Sequence, residues 1–192
     1  MADCLPGIGK AITSNCTTQP VAGTQAKAWV GNRTELAITY DVTNLSKITN
    51  IVPISGAQLY PMLSVGNGSN PGHDGVFAPN RATRYAHKWS FEGFEFDCAS
   101  VENIDALEDL VVIVEMRNNP ADADGTFRAF GVKQGLYKTS DSWSANDVDG
   151  ARPIEMASLE GAGEKYSNYT VLDATGYATT RQMLVDGETP TP

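Results

Sequence analysis

Residues 84–97 of the chain read RYAHKWSFEGFEFD and carry its clearest strand pattern. Aromatic side chains occupy odd positions as far as Phe91 and even positions from Phe94 onward. An alternation of period two predicts a strand with one buried face. Gly93 lies where the parity changes, and glycine is common where a strand carries one extra residue. We therefore predict a long, bent strand or a pair of strands with a bulge at Gly93, whose outward face carries Lys88, Glu92, Glu95 and Asp97.

The next residues predict a helix and then a buried strand. Ser100 suits the N-cap of a helix over Ser100–Asp109, because its hydroxyl can accept from a free backbone N–H. The apolar positions of this helix recur three apart and form one face, made of Val101, Ile104 and Leu107. Leu110–Met116 is apolar almost throughout, which predicts a strand covered on both faces. Residues 118–125 are typical of a hairpin loop and lead to a return strand that begins at Phe127.

Short apolar runs separated by Gly, Asn and Pro occupy much of the remaining chain. In one of them, Ile48–Ile54, alternation places Ile48, Val52 and Ile54 on a common face. Many short strands and one convincing helix predict a mainly β fold, a β-sandwich or barrel with one short flanking α-helix. The strand candidates outside the central region are Ala28–Val30, Glu35–Asp41, Ile48–Ile54, a run from Gln58, Pro153–Glu160 and Tyr166–Leu172.

Three segments lack the pattern of packed elements within what we interpret as a single domain, 1–192. Residues 1–25 are rich in Gly, Thr, Ser and Pro and predict an extended arm. Residues 61–80 predict a long loop, and loops of this length in compact domains usually have a function or are mobile. Residues 187–192 predict a frayed C-terminal tail.

The composition is that of an acidic globular protein. The 192 residues include 14 basic and 23 acidic side chains, which give a formal net charge of -9. This balance repels DNA and anionic membranes, so tight binding to either is not expected. No apolar run reaches the roughly 18 residues of a membrane-spanning helix, and no secretory signal is recognisable, so we expect synthesis in the cytoplasm. The three cysteines, Cys4, Cys16 and Cys98, do not form a disulfide framework; Cys4 and Cys16 could pair, but a reducing cytoplasm favours free thiols.

The sequence contains no recognisable catalytic, cofactor or metal motif. Of its two histidines, His87 lies on the aromatic parity of the predicted strand and is expected to pack in a core or an interface. There is no nucleophile elbow, no paired-cysteine metal motif and no phosphate loop. Asp122-Ala-Asp124-Gly125 is similar to part of a calcium loop, but the glutamate that completes such a loop is missing. We therefore predict a protein that is not an enzyme and needs no cofactor.

Two stretches of the chain resemble the phage tail tube (major tail protein) family. Residues 103–119 read NIDALEDLVVIVEMRNN and residues 126–136 read TFRAFGVKQGL. They are similar to the central helix, apolar strand, turn and return strand of tail tube proteins from phages and prophages of Bacteroidetes-type hosts. Flanking matches include Lys27–Asn32 and His87–Phe91. The resemblance spans most of the chain in order.

This resemblance implies a structural virion protein made in the host bacterial cytoplasm. Tail tube subunits form hexameric rings in which inner strands close into a continuous barrel, and the rings stack into a tube. The implied partners are further copies of the chain, other tail proteins at the tube ends, and a tape measure protein and the DNA genome. These last two pass through the lumen without tight binding, which an acidic lumen would favour.

Two sets of residues are candidates for roles in such a tube. Acidic residues opposite the aromatic face of the longest strand would face the lumen, and these are Glu92, Glu95 and Asp97. The long loop 61–80 would contact the next ring, and its candidates are Asn67, Asn70, His73 and Asp74.

Other functions remain open on the sequence alone. A capsid decoration or head-fibre protein would also be β-rich, but it would not need to polymerise. A carbohydrate-binding or adhesion module would stack sugars on exposed aromatic side chains, for which Trp29, Trp143 and Tyr137 are candidates. The sequence does not separate a phage tail from a contractile injection device.

Overall fold

The computed structural model describes residues 23–63, 69–77, 82–94, 98–117, 125–142, 151–159 and 163–190. These parts contain eleven strands and two α-helices, with a 3-10 turn at Arg33–Glu35. In chain order the elements are β1 Thr24–Asn32, β2 Leu36–Tyr40, β3 Lys47–Pro53, β4 Tyr60–Leu63, β5 Asn70–Val76, β6 Arg84–Phe94, α1 Cys98–Asp105, β7 Leu110–Met116, β8 Phe127–Phe130, β9 Tyr137–Asp141, β10 Ala151–Ala157, β11 Tyr169–Val171 and α2 Tyr177–Asp186.

The strands form two sheets, as predicted for a mainly β sandwich. The large sheet has seven strands in the order β2-β3-β11-β8-β7-β1-β4. The small sheet has four strands in the order β5-β6-β10-β9. All described neighbours are antiparallel except β11 and β3, which are parallel.

A first core lies between the two sheets. Trp89 and Phe91 of β6 stack with ring centroids 4.3 Å apart and are almost fully buried, which confirms the core-facing parity predicted for this strand. The large sheet contributes side chains from β1, β7 and β8 to this core, and α1 covers one end with Ile104.

A second core lies on the opposite face of the large sheet, beneath α2. Trp29, Ile113 and Phe127 are buried there, and α2 contributes Leu184. The prediction that Leu110–Met116 is covered on both faces is therefore confirmed, because alternate side chains of β7 enter different cores. The sequence pattern does not predict α2, because its residues YATTRQMLVD carry only a weak apolar face.

One long hairpin supplies both edges of the large sheet. β1 pairs with β4 and β2 pairs with β3, so residues 24–40 run antiparallel to residues 47–63. The 3-10 turn at Arg33–Glu35 bends this hairpin in its middle. As a result β4 lies at one edge of the large sheet, and β2 with its neighbour β3 lies at the opposite edge. The sheet curves accordingly around the second core.

The predicted loop 61–80 is wrong over much of its length. β4 includes residues 61–63, and Asn70–Val76 forms β5, which pairs with β6 from Asn70 opposite Ser90 to Val76 opposite Arg84. The sequence NPGHDGV has little intrinsic preference for a strand, and pairing with the long strand β6 overrides that preference. Residues 64–68 and 78–80 lie outside the described part of the chain.

The predicted bulge at Gly93 is also wrong. The register of β6 and β10 is continuous through this position, with Gly93 opposite Arg152 and Phe94 opposite Ala151. A Cβ atom at this position would lie 3.1 Å from Cδ1 of Ile104, so a side chain here would crowd α1. Its absence allows α1 to approach the strand closely.

Other predicted boundaries shift as well. The helix spans Cys98–Asp105, so Ser100 lies inside it and is not its N-cap. Strand β1 begins at Thr24, inside the predicted arm, whose residues 1–22 lie outside the described part. In the predicted frayed tail, the carboxylate of Glu188 accepts a 2.7 Å hydrogen bond from Nε1 of Trp29. Gly187 accepts a backbone hydrogen bond from Leu59.

The prediction that Ile48, Val52 and Ile54 lie on a common face is wrong. Ile48 is buried together with Ile51, whereas Val52 and Ile54 are exposed. The register of β2 and β3 shifts between Thr39 and Tyr40, and such an irregularity changes the face to which the following side chains point.

We expect Leu184→Ala to lower the free energy of unfolding by about 2–5 kcal/mol, because it leaves a cavity in the second core. Val185→Ala is the matched control: this neighbour is 37% exposed, and its truncation should cost less than about 0.5 kcal/mol. Urea denaturation followed by tryptophan fluorescence measures both variants. Equal small effects would show that α2 is not docked on the large sheet.

Candidate assembly surface

The small sheet presents one face to the first core and the other to the outside. Its register places alternate side chains of β5, β6 and β10 on the outside, which we call the outer face. The described charged residues of the outer face in these strands are Asp74, Arg84, Lys88, Glu92 and Glu155. The outer face therefore carries both signs of charge.

Glu92 is exposed on the outer face, where the sequence predicts it. Glu95 and Asp97, which are grouped with it as candidate lumen-facing acids, lie outside the described residues. The nearest cation on β6 is already paired, since Nζ of Lys88 lies 3.0 Å from both carboxylate oxygens of Asp74. In the described part of this face, few positive groups are free to hold a polyanion.

Three of the four candidate contact residues lie on β5. Asn70 and Asp74 belong to the outer face, whereas His73 has the opposite parity. The exposed His73 ring packs edge-on against Tyr85, with ring centroids 5.3 Å apart. Asn67 lies outside the described residues. The structure thus brings Asn70, Asp74 and Glu92, which the sequence analysis assigns to different roles, onto one surface.

Among the described strands β5 pairs only with β6, so one side of its main chain is open there, and the residues facing that side can be identified. Tyr85 exchanges backbone hydrogen bonds of 3.0 and 2.9 Å with Glu164, and His87 accepts one of 2.9 Å from Ser158. Odd residues of β6 thus point their main-chain groups toward β10, and even residues point toward β5. The register therefore gives the direction of the main-chain N–H and C=O groups of β5. Those of Asn70, Gly72, Asp74 and Val76 point toward β6, and those of Pro71, His73 and Gly75 point to the open side of the strand. Pro71 fits this direction, because it has no N–H to donate.

The other edge of the small sheet is β9, which pairs only with β10 among the described strands. Its last residue, Asp141, accepts hydrogen bonds from Arg152 at 2.6 Å and from Lys138 at 2.8 Å. The hydrogen bond from Arg152, opposed by partial burial and supported by Lys138, lowers the pKa of Asp141 to about 2. The side-chain charges at this edge are therefore mutually neutralised, although the main chain has no second described strand beside it.

His87 is a fully buried core histidine, as predicted. Its Nδ1 accepts a hydrogen bond of 2.9 Å from the backbone N–H of Gly131. Its Nε2 therefore carries the proton and donates to the carbonyl of Tyr166, also at 2.9 Å. Burial lowers the pKa of His87 below its ordinary value, against the opposing effects of the Tyr166 carbonyl and the charge of Glu164. The neutral ring thus joins β6 to the turn that follows β8.

Glu164 forms a second buried polar link beside this histidine. Its Oε1 accepts from the backbone N–H groups of Lys133 at 2.6 Å and Gln134 at 2.9 Å. Its Oε2 accepts from the hydroxyl of Tyr169 at 3.0 Å, and burial followed by the charge of Glu164 raises the pKa of this tyrosine. Every oxygen of the carboxylate is satisfied, so the arrangement supports the turn between β8 and β9 structurally.

The two described aromatic residues among those suggested for sugar binding, Trp29 and Tyr137, do not form an exposed platform. Trp29 is 1% exposed, which corrects its assignment as an exposed residue. Tyr137 is half-buried and donates to Asp109 at 3.0 Å, and Trp143 lies outside the described residues. Within the described ranges no cluster of His, Cys, Asp and Glu has the arrangement of a metal site. No described helix is long and apolar enough to span a membrane.

A further surface, which is not predicted from the sequence, lies at the turn between β2 and β3. Val42 and Leu45 are exposed there, within a turn held together by Asp41 and Asn44. The sequence pattern that indicates this turn is Asp-Val-Thr-Asn-Leu-Ser at 41–46, in which Asp and Asn are each followed two positions later by Thr or Ser.

We expect the free energy of unfolding to be constant above about pH 7 and to fall as the pH drops below about 6.5, the ordinary pKa of histidine. Below this pH His87 binds a proton in the unfolded chain but stays neutral in the folded protein. This difference lowers the free energy of unfolding by at most about 1.4 kcal/mol per pH unit. Urea denaturation between pH 5 and 8 measures this slope. Glutamine does not titrate, so His87→Gln should lack the part of the pH dependence that His87 causes. It should also be less stable than the wild type at pH 7.5. Identical slopes for both proteins would contradict the assignment.

Comparisons with models of protein families, with curated proteins and with solved structures find no match to this chain.

Proposed function

We propose that the chain is a structural subunit that self-assembles into rings through the open edges of its small sheet, and that the rings stack into a tail tube. The observation that supports this most directly is the small sheet itself, which ends on both sides in strands with only one described partner. The sequence resemblance to tail tube proteins supplies the ring and the tube.

Open strand edges favour pairing with another chain. Exposed N–H and C=O groups along an edge are a template for a further strand, and natural proteins cover or block such edges unless they are used. β5 and β9 are different strands, so pairing β5 of one copy with β9 of the next is a head-to-tail contact. Contacts of this kind close into a ring when the rotation between copies permits it.

The size of such a ring suits a conduit for DNA. Six small sheets would supply about 24 strands, and strands about 4.8 Å apart with a tilt of about 40° close into a barrel roughly 48 Å across. Side chains on the inner wall leave a channel wide enough for a DNA duplex and for a tape measure protein.

In this arrangement the outer face of the small sheet lines the lumen, because the large sheet lies behind it. Glu92 then faces the lumen. Without a bulge at Gly93, positions 95 and 97 do not share the parity of Glu92, so we propose the lumen role for Glu92 and not for Glu95 and Asp97. Lys88 is neutralised by Asp74 on this wall. The absence of an unpaired basic stripe among the described residues of the outer face would let phosphates pass without being held.

The proposed contacts change the role of the 61–80 segment. Asn70, His73 and Asp74 belong to an edge strand, so we assign β5 to the contact between neighbours within a ring. Asn67 is retained as a candidate contact to the next ring. Other tail proteins would bind the tube ends, where the last ring has no further ring to stack on.

We expect the purified protein, concentrated at physiological salt, to form hollow rings or tubes with sixfold end views in negative-stain electron microscopy. His73→Pro should abolish them, because it removes an N–H that points to the open side of β5. His73→Ala is the matched control, since it removes the side chain and keeps the N–H, and it should assemble normally.

Folding of the proline variant must be tested separately. His73→Pro should keep the unfolding midpoint of the wild type within a few degrees, whereas Asp74→Pro should lower it because its N–H faces β6. Tubes formed by a folded His73→Pro protein would contradict pairing through β5. A wild-type protein that remains monomeric in light scattering at every concentration would contradict self-assembly.

A further inference from the structure

The turn between β2 and β3, Asp41–Ser46, projects two apolar side chains into solvent; we call it the hairpin tip. Val42 is 95% exposed and Leu45 is 53% exposed. Isolated exposed aliphatic residues are common, but these two share one short turn beside a half-buried tyrosine, Tyr40. The hairpin tip therefore has the composition of a small contact surface.

The hairpin tip is also held in one conformation. Oδ1 of Asp41 accepts hydrogen bonds from the backbone N–H and the hydroxyl of Thr43 at 2.8 and 2.6 Å, and from the N–H of Asn44 at 3.0 Å. Oδ1 of Asn44 in turn accepts from the N–H of Ser46 at 3.1 Å. A surface that is ordered before binding loses little conformational entropy when it docks.

A groove of about 330 Å³ lies beside α1, and we call it the α1 groove. It runs between this helix, the end of β1 and the start of β4. Its volume is at the lower end of the range of about 300–1,000 Å³ that is typical of binding pockets. Its lining is mainly apolar and includes Val30, Tyr60, Met62, Ile104 and Leu107.

The hairpin tip and the α1 groove lie at opposite edges of the large sheet. The tip connects β2 and β3 at one edge, and the groove includes β4 at the other. Leu45 of the tip lies near Lys133 and Tyr166 of its own chain and not near the residues that line the α1 groove. The 3-10 turn and the five residues of β2, which span about 17 Å of extended chain, separate the tip from the end of β1 that lines the groove. In this fold the tip does not line the groove of its own molecule, so an occupant of this kind must come from a second copy.

Apart from the carboxylate of Asp41, which accepts hydrogen bonds within the tip, the charges beside the two surfaces are opposite in sign. Nζ of Lys133 lies 4.2 Å from the ring centre of Tyr40 at the base of the tip, and the exposed Lys165 lines the same shallow depression as Tyr40 and Leu45. Glu102 and Glu108 are exposed on and just after α1. Opposite charges around an apolar contact orient two partners and disfavour docking in other directions.

We propose that the hairpin tip of one copy inserts Val42 and Leu45 into the α1 groove of a second copy. This rests on the self-assembly proposed above and identifies a second contact for it, separate from the edges of the small sheet. The contact joins two different surfaces, so each copy can offer a tip to one neighbour and a groove to another. Such a head-to-tail contact continues through an assembly and does not stop at a dimer.

Cysteine cross-linking tests the contact directly. Val42→Cys and Ala106→Cys are made in separate proteins, because Ala106 is exposed and lines the groove. The two proteins are mixed, assembled and oxidised, and the disulfide is mapped by mass spectrometry. We expect a 42–106 cross-link between copies. Ala178→Cys, at an exposed position of α2, is the matched control and should give at least tenfold less cross-link with Val42→Cys.

A charge substitution tests the role of the contact. Val42→Asp should raise the protein concentration needed for assembly by more than tenfold, whereas Val185→Asp on α2 should leave it unchanged. Tubes that form without a 42–106 cross-link, or that contain only 42–42 cross-links, would overturn the insertion and leave self-assembly intact. A protein that forms no assembly and no cross-link at any concentration would overturn both proposals.

Discussion

The burial of β7 on both faces is the constraint on which the rest of the structure depends. An apolar strand of this kind is stable only if each face is covered, and one partner layer cannot cover both. The small sheet covers one face and α2 covers the other. The protein therefore has three layers with two separate cores, and the large sheet is the layer that both cores share.

A polar junction joins the elements at one end of these layers. Asp109 has a positive φ of 52° and accepts two hydrogen bonds from Arg33, at 2.7 and 2.8 Å, and one from Tyr137 at 3.0 Å. A Cβ atom at position 135 would lie 2.0 Å from Oδ1 of Asp109, so glycine is required there. This contact connects the bend of the long hairpin, the end of the helical segment and the start of β9, and it holds the region beside the α1 groove.

The surfaces left over by this packing are those that we propose for assembly. Both cores are covered within one chain, so the fold itself does not require a partner to bury them. In the described part of the chain, strand edges with a single partner and an exposed apolar turn remain, and they lie on different parts of the molecule. A subunit with several different contact surfaces can form a ring in one direction and a stack in another, which a tube requires.

The sequence by itself determined the features that depend on local pattern. The alternation of residues 85–91 identified the core face of β6 and the buried state of His87, and the apolar run 110–116 identified a doubly covered strand. The tertiary structure alone decided the features that depend on distant neighbours. NPGHDGV becomes β5 because β6 offers it hydrogen bonds, and a Cβ atom at Gly93 would crowd Ile104 of the helix that lies against it. Helix α2 is held by the second core, and the open side of β5 follows from hydrogen bonds between β6 and residues 158 and 164. Local pattern specifies which side chains avoid water, whereas pairing and packing between distant segments specify which edges remain free.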